Sequence, residues 1–148
     1  MQMRSRVLFV AVCGLALWGR LALSAQATKS QWDAVFTAAQ AKRGEELYAN
    51  KCITCHMPDL TGGEPEYTPS PALTGTEFTG YWNNRTLGDL YDAIQMTMPK
   101  DDPGTLKPQE SADLAAYILE FNKYPAGATD LPGDAAALKA IKLLAKKP

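Results

Sequence analysis

Apolar side chains recur every three or four residues in four segments of the chain, which is the spacing of one face of an α-helix. These segments are residues 38–51, 87–96, 108–122 and 134–147. The most regular apolar stripe is in the second segment and consists of Leu87, Leu90, Tyr91 and Ile94. The pattern predicts an all-α fold with three core helices and one extra helix at the C-terminal end.

Capping signals mark the starts of these predicted helices. Thr37 is predicted to cap the first helix, and Gln40, three residues later, to complete a capping box. Thr86 takes the N-cap position of the second helix, and Pro108 is a preferred first-turn residue for the third. The fourth helix would present several lysines as a solvated face near its C-terminal end.

The stretch between Cys55 and Thr86 has no convincing period and is rich in glycine and proline. It predicts a loop of about thirty residues without secondary structure, which is uncommon in a compact domain unless the loop has a function. Such a loop would suit a domain whose short helices enclose a flat apolar group, with the loop wrapped around the edge of that group.

The first 27 residues have the features of a secretory signal peptide. Arginines precede an apolar run over residues 7–18, and residues 25–27 (Ala-Gln-Ala) form the pattern after which signal peptidase cleaves. Thr28 is therefore predicted to begin the mature, periplasmic chain. The alternative is a membrane anchor, but a helical span needs about 20 apolar residues and Arg20 shortens this run.

Composition and charge exclude several classes of function. The chain has 148 residues, of which 46% are hydrophobic and 21% charged, a globular composition of a length that suits one domain. Beyond residue 27, twelve basic side chains and sixteen carboxylates leave a formal charge of −4, which argues against a nucleic-acid-binding surface. A single histidine excludes any site that needs two imidazoles from this chain.

The most specific motif in the chain is Cys52-Ile53-Thr54-Cys55-His56, the C-x-x-C-H signature of covalent haem attachment. Two thiols on one helical turn can form thioethers with the two vinyl groups of one porphyrin. The adjacent histidine then faces the iron as its proximal ligand. The motif predicts one haem c, attached through Cys52 and Cys55, with His56 on the iron.

Other uses of these cysteines fit the chain less well. A thioredoxin-like C-x-x-C follows a strand, whereas this one follows a predicted helix. A structural zinc site needs four ligands, and beyond residue 27 the chain has two cysteines and one histidine, so carboxylates would have to complete the set. A disulfide between Cys52 and Cys55 would leave His56 without a role.

The sixth position on the iron is predicted to go to Met98. A second histidine is not present, and Met57 is adjacent to His56 and cannot reach the other face of the porphyrin. Met96 belongs to the end of a predicted helix, whereas Pro99 favours extended backbone at Met98, from which a thioether can project. The alternative is that Met96 and Met98 both fill gaps in the core.

These features together resemble the class I c-type cytochromes over about residues 35–122. The matching features, in chain order, are Gly44 and Tyr48 in the first helix, the haem motif, residues 70–73 (Ser-Pro-Ala-Leu), Trp82, the Met98-Pro99 pair and an aromatic last helix. The resemblance implies the cytochrome c fold, in which the helix with Gly44 crosses the helix with Tyr117 in close contact. Met57 departs from the family pattern, since many members have glycine after the haem histidine.

The same resemblance implies roles for four further residues. The Pro71 carbonyl would accept the Nδ1 proton of His56 and so set its tautomer. Leu73 would pack on the porphyrin, and Trp82 would donate its indole N–H to a haem propionate. Arg85 is a second candidate for a propionate. Ordinary core packing is the alternative role for Leu73 and Trp82.

Three regions are expected along the chain: a signal peptide over residues 1–27, a cytochrome c domain over 28–123, and a C-terminal extension with a short helix over 124–148. The expected function is one-electron transfer through a His/Met-ligated haem, not enzymatic catalysis, because no nucleophile–base pair or carboxylate dyad is apparent. The alternative is a haem sensor or haem enzyme with an open sixth position.

Redox proteins are the expected partners. Residues 35–37, 40–44 and 86–90 resemble segments of small exported bacterial cytochromes, some of which are partners or subunits of quinoprotein alcohol dehydrogenases. That resemblance implies a dehydrogenase as electron donor and an oxidase or another cytochrome as acceptor. No nucleic acid is expected to bind, and contact with the membrane is expected to be transient or through an uncleaved signal.

Overall fold

The computed structural model describes residues 29–63 and 70–148. The predicted signal peptide lies outside the described residues, and its cleavage stays a prediction. The elements, in chain order, are β1 (Lys29–Ser30), a 3₁₀ turn (Gln31–Asp33), α1 (Ala38–Lys51), α2 (Ile53–His56), α3 (Gly75–Trp82), α4 (Leu87–Thr97), α5 (Pro108–Phe121), α6 (Ala135–Leu138) and β2 (Ile141–Lys142). Helices provide nearly all the regular structure of this part of the chain, so the predicted all-α class is confirmed.

The three predicted core helices are confirmed as α1, α4 and α5, each within one residue of the predicted end. Helix α1 crosses α5 at Gly44, where a Cβ atom would lie 1.9 Å from the carbonyl oxygen of Asp113. The two backbones therefore approach closely only because this residue has no side chain. Helix α4 also packs against α5.

The predicted capping box of α1 is half wrong. The Thr37 hydroxyl accepts a hydrogen bond from the Gln40 backbone N–H at 3.0 Å, as expected of an N-cap. The Gln40 side chain, however, is fully buried and bonds elsewhere: its Nε2 donates to Asp113 Oδ1 (3.1 Å) and to the Leu131 carbonyl (3.0 Å). Its Oε1 accepts from the Leu131 N–H at 2.7 Å. The Gln40 side chain therefore bonds to residues that are distant in the sequence, which a local pattern cannot predict.

The long C-terminal helix predicted over residues 134–147 is wrong. Only Ala135–Leu138 is helical, and Ile141–Lys142 then forms a short parallel pair with Lys29–Ser30. The backbone beyond α6 bonds to the α3–α4 connection: the Leu143 N–H donates to the Arg85 carbonyl at 2.9 Å. These long-range hydrogen bonds replace the internal bonds that a helix would have made.

The expectation of no secondary structure between Cys55 and Thr86 is also wrong, because α3 lies within that stretch. Its eight residues include two glycines, which lower the helix propensity of the segment and interrupt its apolar pattern. Phe78 is buried on its inner side, and Trp82 is half-buried one turn later. Tertiary burial of these two rings favours the helix.

Residues 124–148 form part of the same packed core as the helices. Leu131, Leu138 and Leu143 of this segment are all buried. The division of the chain at residue 123 stays a prediction. None of the helices described, within residues 29–63 and 70–148, combines the length and apolar character needed to cross a bilayer.

Candidate functional site

A large cavity of about 1370 Å³ opens among α2, α3, α4, α5 and the backbone around Pro71. Its size exceeds the range of about 300–1,000 Å³ typical of small-molecule sites. Apolar side chains from these elements line it, including Leu73, Phe78, Leu90, Ile94, Leu114 and Ile118. A broad, apolar ligand would remove these surfaces from water.

The two cysteines lie on the wall of this cavity because the chain turns tightly where α1 ends. The His56 N–H donates to the Cys52 carbonyl at 2.9 Å, and the Cys55 N–H to the same carbonyl at 3.1 Å. Both thiols are free; Cys52 is half-buried and Cys55 is exposed. Burial raises the pKa of the Cys52 thiol to about 11, which favours the protonated thiol near neutral pH.

His56 is held with one ring nitrogen committed and the other available. Its Nδ1 lies 3.0 Å from the Pro71 carbonyl oxygen, the contact expected from the family resemblance. Because a carbonyl only accepts, Nδ1 carries the proton and Nε2 keeps its lone pair. Burial lowers the pKa of the imidazole, opposed by the hydrogen bond to Pro71, and so favours the neutral, metal-binding form.

The structure separates the two candidate methionines. Met98 follows the end of α4 in extended backbone (φ −122°, ψ 152°) and lines the cavity together with Pro99. Met96 is still within α4, is 67% exposed and does not line the cavity. Met57 is also absent from the cavity wall. One cavity thus brings together the thiols, the imidazole and the Met98 thioether.

Of the residues predicted to contact a porphyrin, Leu73 and Trp82 line the cavity and Arg85 does not. Arg85 lies beyond the end of α3, where its guanidinium carbon is 4.3 Å from the centroid of the Tyr81 ring. Its guanidinium thus lies over the Tyr81 ring, and a contact between Arg85 and a haem propionate stays a prediction.

Two supporting residues were not predicted. The Tyr48 hydroxyl donates to the Met57 carbonyl at 2.6 Å and so ties α1 to the residue after His56. Asn122 donates to the Leu73 carbonyl at 2.9 Å and accepts from the Gly75 N–H at 3.2 Å, which fixes the start of α3. The position of Tyr48 four residues before Cys52 was a usable signal, whereas nothing near Asn122 in the sequence indicated its role.

The residues present fit a covalently attached haem better than a structural metal ion. Two unpaired thiols, one neutral imidazole and one thioether face an apolar cavity. No group of three or more histidine, cysteine or carboxylate side chains within residues 29–63 and 70–148 is arranged to hold a metal ion. A zinc site of the structural kind would need four such ligands.

Comparisons with known proteins support a covalently bound c-type haem. The family model described as "Cytochrome C oxidase, cbb3-type, subunit III" matches residues 39–118. The chain is 30% identical to cytochrome c of Gossypium barbadense over 98 residues, covering 54% of this chain and 88% of that protein. It is 31% identical to cytochrome c of Sesamum indicum over 97 residues, covering 53% and 87%.

A solved structure shares the fold. A chain in the crystal structure of the sulfane dehydrogenase SoxCD from Paracoccus pantotrophus superposes with a TM-score of 0.56 at 21% identity. The alignment covers 88% of this chain and 68% of that chain.

Proposed function

Because the chain belongs to the class I c-type cytochromes, which bind haem covalently and transfer electrons, we propose that it is a periplasmic electron carrier whose haem iron would be held by His56 and Met98. When bound, a c-type haem supplies a one-electron Fe(III)/Fe(II) couple. Cys52 and Cys55 would hold the group through thioether bonds. His56 and Met98 would serve as the axial ligands.

The observation that carries the proposal is that Cys52, Cys55, His56 and Met98 all line one apolar cavity. The Pro71 carbonyl fixes the His56 tautomer, which leaves Nε2 as the donor atom. Apolar side chains around these residues would shield a bound haem from water, and a Met98 thioether on the iron would favour its reduced state. These residues thus support electron transfer through a bound haem.

Replacing Met98 with alanine tests the axial ligand. The haem-loaded M98A variant should lose the low-spin ferric spectrum, bind added imidazole readily and show a lower reduction potential, because the thioether is removed. Met96→Ala is the matched control and should keep the spectrum and potential of the parent protein, since Met96 is outside the cavity.

Two outcomes would contradict this ligand assignment. An unchanged spectrum in M98A would favour the alternative of a haem sensor or haem enzyme with an open sixth position, as would carbon monoxide binding by the reduced parent protein. Loss of the low-spin spectrum in M96A would assign the ligand to Met96.

The location and the donor are tested separately. Export should yield a periplasmic, red protein whose N-terminal residue is Thr28, and a precursor that retains residues 1–27 in the membrane would contradict cleavage.

A quinoprotein alcohol dehydrogenase supplied with its alcohol should reduce the purified protein, at a rate that saturates as the cytochrome concentration rises. Absence of any reduction would remove this class of donor from the proposal.

A further inference from the structure

Arg85 occupies an unusual place next to the haem cavity. Its side chain is exposed and does not line the cavity, yet it stacks on the two aromatic residues that do. The guanidinium carbon is 4.3 Å from the ring centroid of Tyr81 and 5.6 Å from that of Trp82. Both distances are within the range of about 6 Å for cation–π attraction.

The core covers Tyr81 and Trp82 only in part. Tyr81 is 62% exposed, and its ring meets Trp82 edge-on with centroids 5.2 Å apart. Trp82 in turn contacts the buried ring of Phe78, at 6.4 Å between centroids. The rings thus form a row from the core to the surface, and Arg85 covers its outer end.

The backbone of Arg85 is held by the C-terminal segment. Two reciprocal hydrogen bonds join this segment to the α3–α4 connection: the Leu143 N–H donates to the Arg85 carbonyl at 2.9 Å, and the Asn84 N–H donates to the Leu143 carbonyl at 2.8 Å. The Ala145 N–H donates to Asn83 Oδ1 at 2.9 Å. Hydrogen bonds therefore hold the backbone of Arg85 while its guanidinium lies over the Tyr81 and Trp82 rings.

We propose that Arg85 is a positioning residue of the haem site, which holds Tyr81 and Trp82 against the cavity through stacking of its guanidinium. The proposal rests on haem occupying the cavity and does not depend on the identity of the sixth ligand. It also gives the C-terminal segment a function, which is to hold the residue that supports this wall.

The experiment measures exchange of the tryptophan indole N–H groups in the reduced, haem-loaded, ¹⁵N-labelled protein, with carbon monoxide added if the sixth position is open. Loss of the stack should raise the opening of the wall in Arg85→Gln, so the Trp82 indole N–H should exchange about tenfold faster, equal to ~1.4 kcal/mol. The Trp32 indole, which donates to the Leu144 carbonyl at 3.3 Å, serves as the internal reference and should keep its rate. Trp82→Phe and Trp32→Phe assign the two signals.

Two further variants separate stacking from charge. Arg85→Lys keeps the positive charge but loses the planar stack, so Trp82 exchange should again be several-fold faster. Lys123→Gln removes a cation that lies 5.9 Å from the Phe121 ring, away from the cavity, and should leave both exchange rates unchanged. The Soret-region circular dichroism should change in R85Q and not in K123Q.

Three results would overturn the proposal. Equal acceleration of Trp82 and Trp32 in R85Q would mean that Arg85 only contributes to global stability. A parent-like rate in R85K would mean that charge, not stacking, is what matters. An unchanged Trp82 rate in R85Q would mean that the wall holds without Arg85.

Discussion

At the scale of single residues, the backbone after the haem histidine is strained. Met57 has φ 62° and ψ 159°, a region that is almost confined to glycine. Its N–H donates to the Ile53 carbonyl at 3.0 Å, and its carbonyl accepts from Tyr48 at 2.6 Å. These bonds hold the residue where the turn must pass from α2 to the loop, even though its side chain opposes that conformation.

Met57→Gly should therefore stabilise the protein. Strain of this kind destabilises the folded state by about 1–3 kcal/mol, and glycine would relieve it. Glycine also makes the unfolded chain more flexible, which offsets about 0.4–1 kcal/mol of that stabilisation. We expect the free energy of unfolding of the haem-loaded protein to rise by ~1 kcal/mol, measured as a higher urea midpoint at an unchanged slope.

The same change at Met96 provides a control of opposite sign. Met96 is exposed within α4, so Met96→Gly should lower the free energy of unfolding by about 0.5–1 kcal/mol through lost helix propensity. A loss of stability in M57G similar to that in M96G would show that Met57 is not strained.

At the scale of helices, the α1–α5 crossing depends on the missing side chain of Gly44. A Cβ atom there would lie 1.9 Å from the Asp113 carbonyl oxygen and 2.8 Å from the Tyr117 Cβ. The nearest obstacle is backbone, which cannot rotate away, so the helices would have to separate. The Tyr48–Tyr117 ring contact, with centroids 5.2 Å apart, lies on the same interface.

Gly44→Ala should lower the free energy of unfolding by at least ~2 kcal/mol, because overpacking of a rigid contact destabilises by about 1–3 kcal/mol or more. Gly80→Ala is the matched control within α3: a methyl group at this position would have no neighbour within 4 Å, so this variant should gain about 0.5–1 kcal/mol. Urea unfolding of both variants distinguishes the contact from propensity, and an equal effect of the two substitutions would contradict the close crossing.

At the scale of the whole molecule, the two ends of the described chain are joined to each other and to the core. The Gln31 side chain donates to the Leu144 carbonyl at 2.6 Å and accepts from the Leu144 N–H at 3.0 Å. Arg43 of α1 forms ion pairs with Asp113 of α5 at 2.9 Å and with Asp130 of the C-terminal segment at 2.7 Å. Because these bonds join residues 124–148 to the rest of the described chain, we expect the whole to unfold as one cooperative unit.

Leu138→Ala tests this integration. Leu138 is fully buried, so its truncation should lower the free energy of unfolding by about 2–5 kcal/mol, as in other cores. Leu144→Ala, at a half-buried position of the same segment, should cost only ~1 kcal/mol. If L138A unfolded at the urea midpoint of the parent protein, residues 124–148 would not contribute to the stability of the domain.

The sequence alone was sufficient where the chemistry is local. The C-x-x-C-H motif, the N-caps at Thr37 and Thr86 and the three core helices depend on residues within a few positions of each other. Neighbours of this kind interact through one helical turn, so their spacing carries the information directly. The family could be identified from the same residues.

Only the tertiary structure decided the placements that depend on distant residues. Gln40 bonds to Leu131, which is 91 positions away, and residues beyond α6 pair with β1 and the α3–α4 connection instead of continuing a helix. Arg85 likewise faces Tyr81 and not the cavity, because the C-terminal segment sets its backbone. The physical reason is that such contacts gain burial and hydrogen bonds only after the chain has closed on itself, and a pattern of neighbouring residues does not contain them.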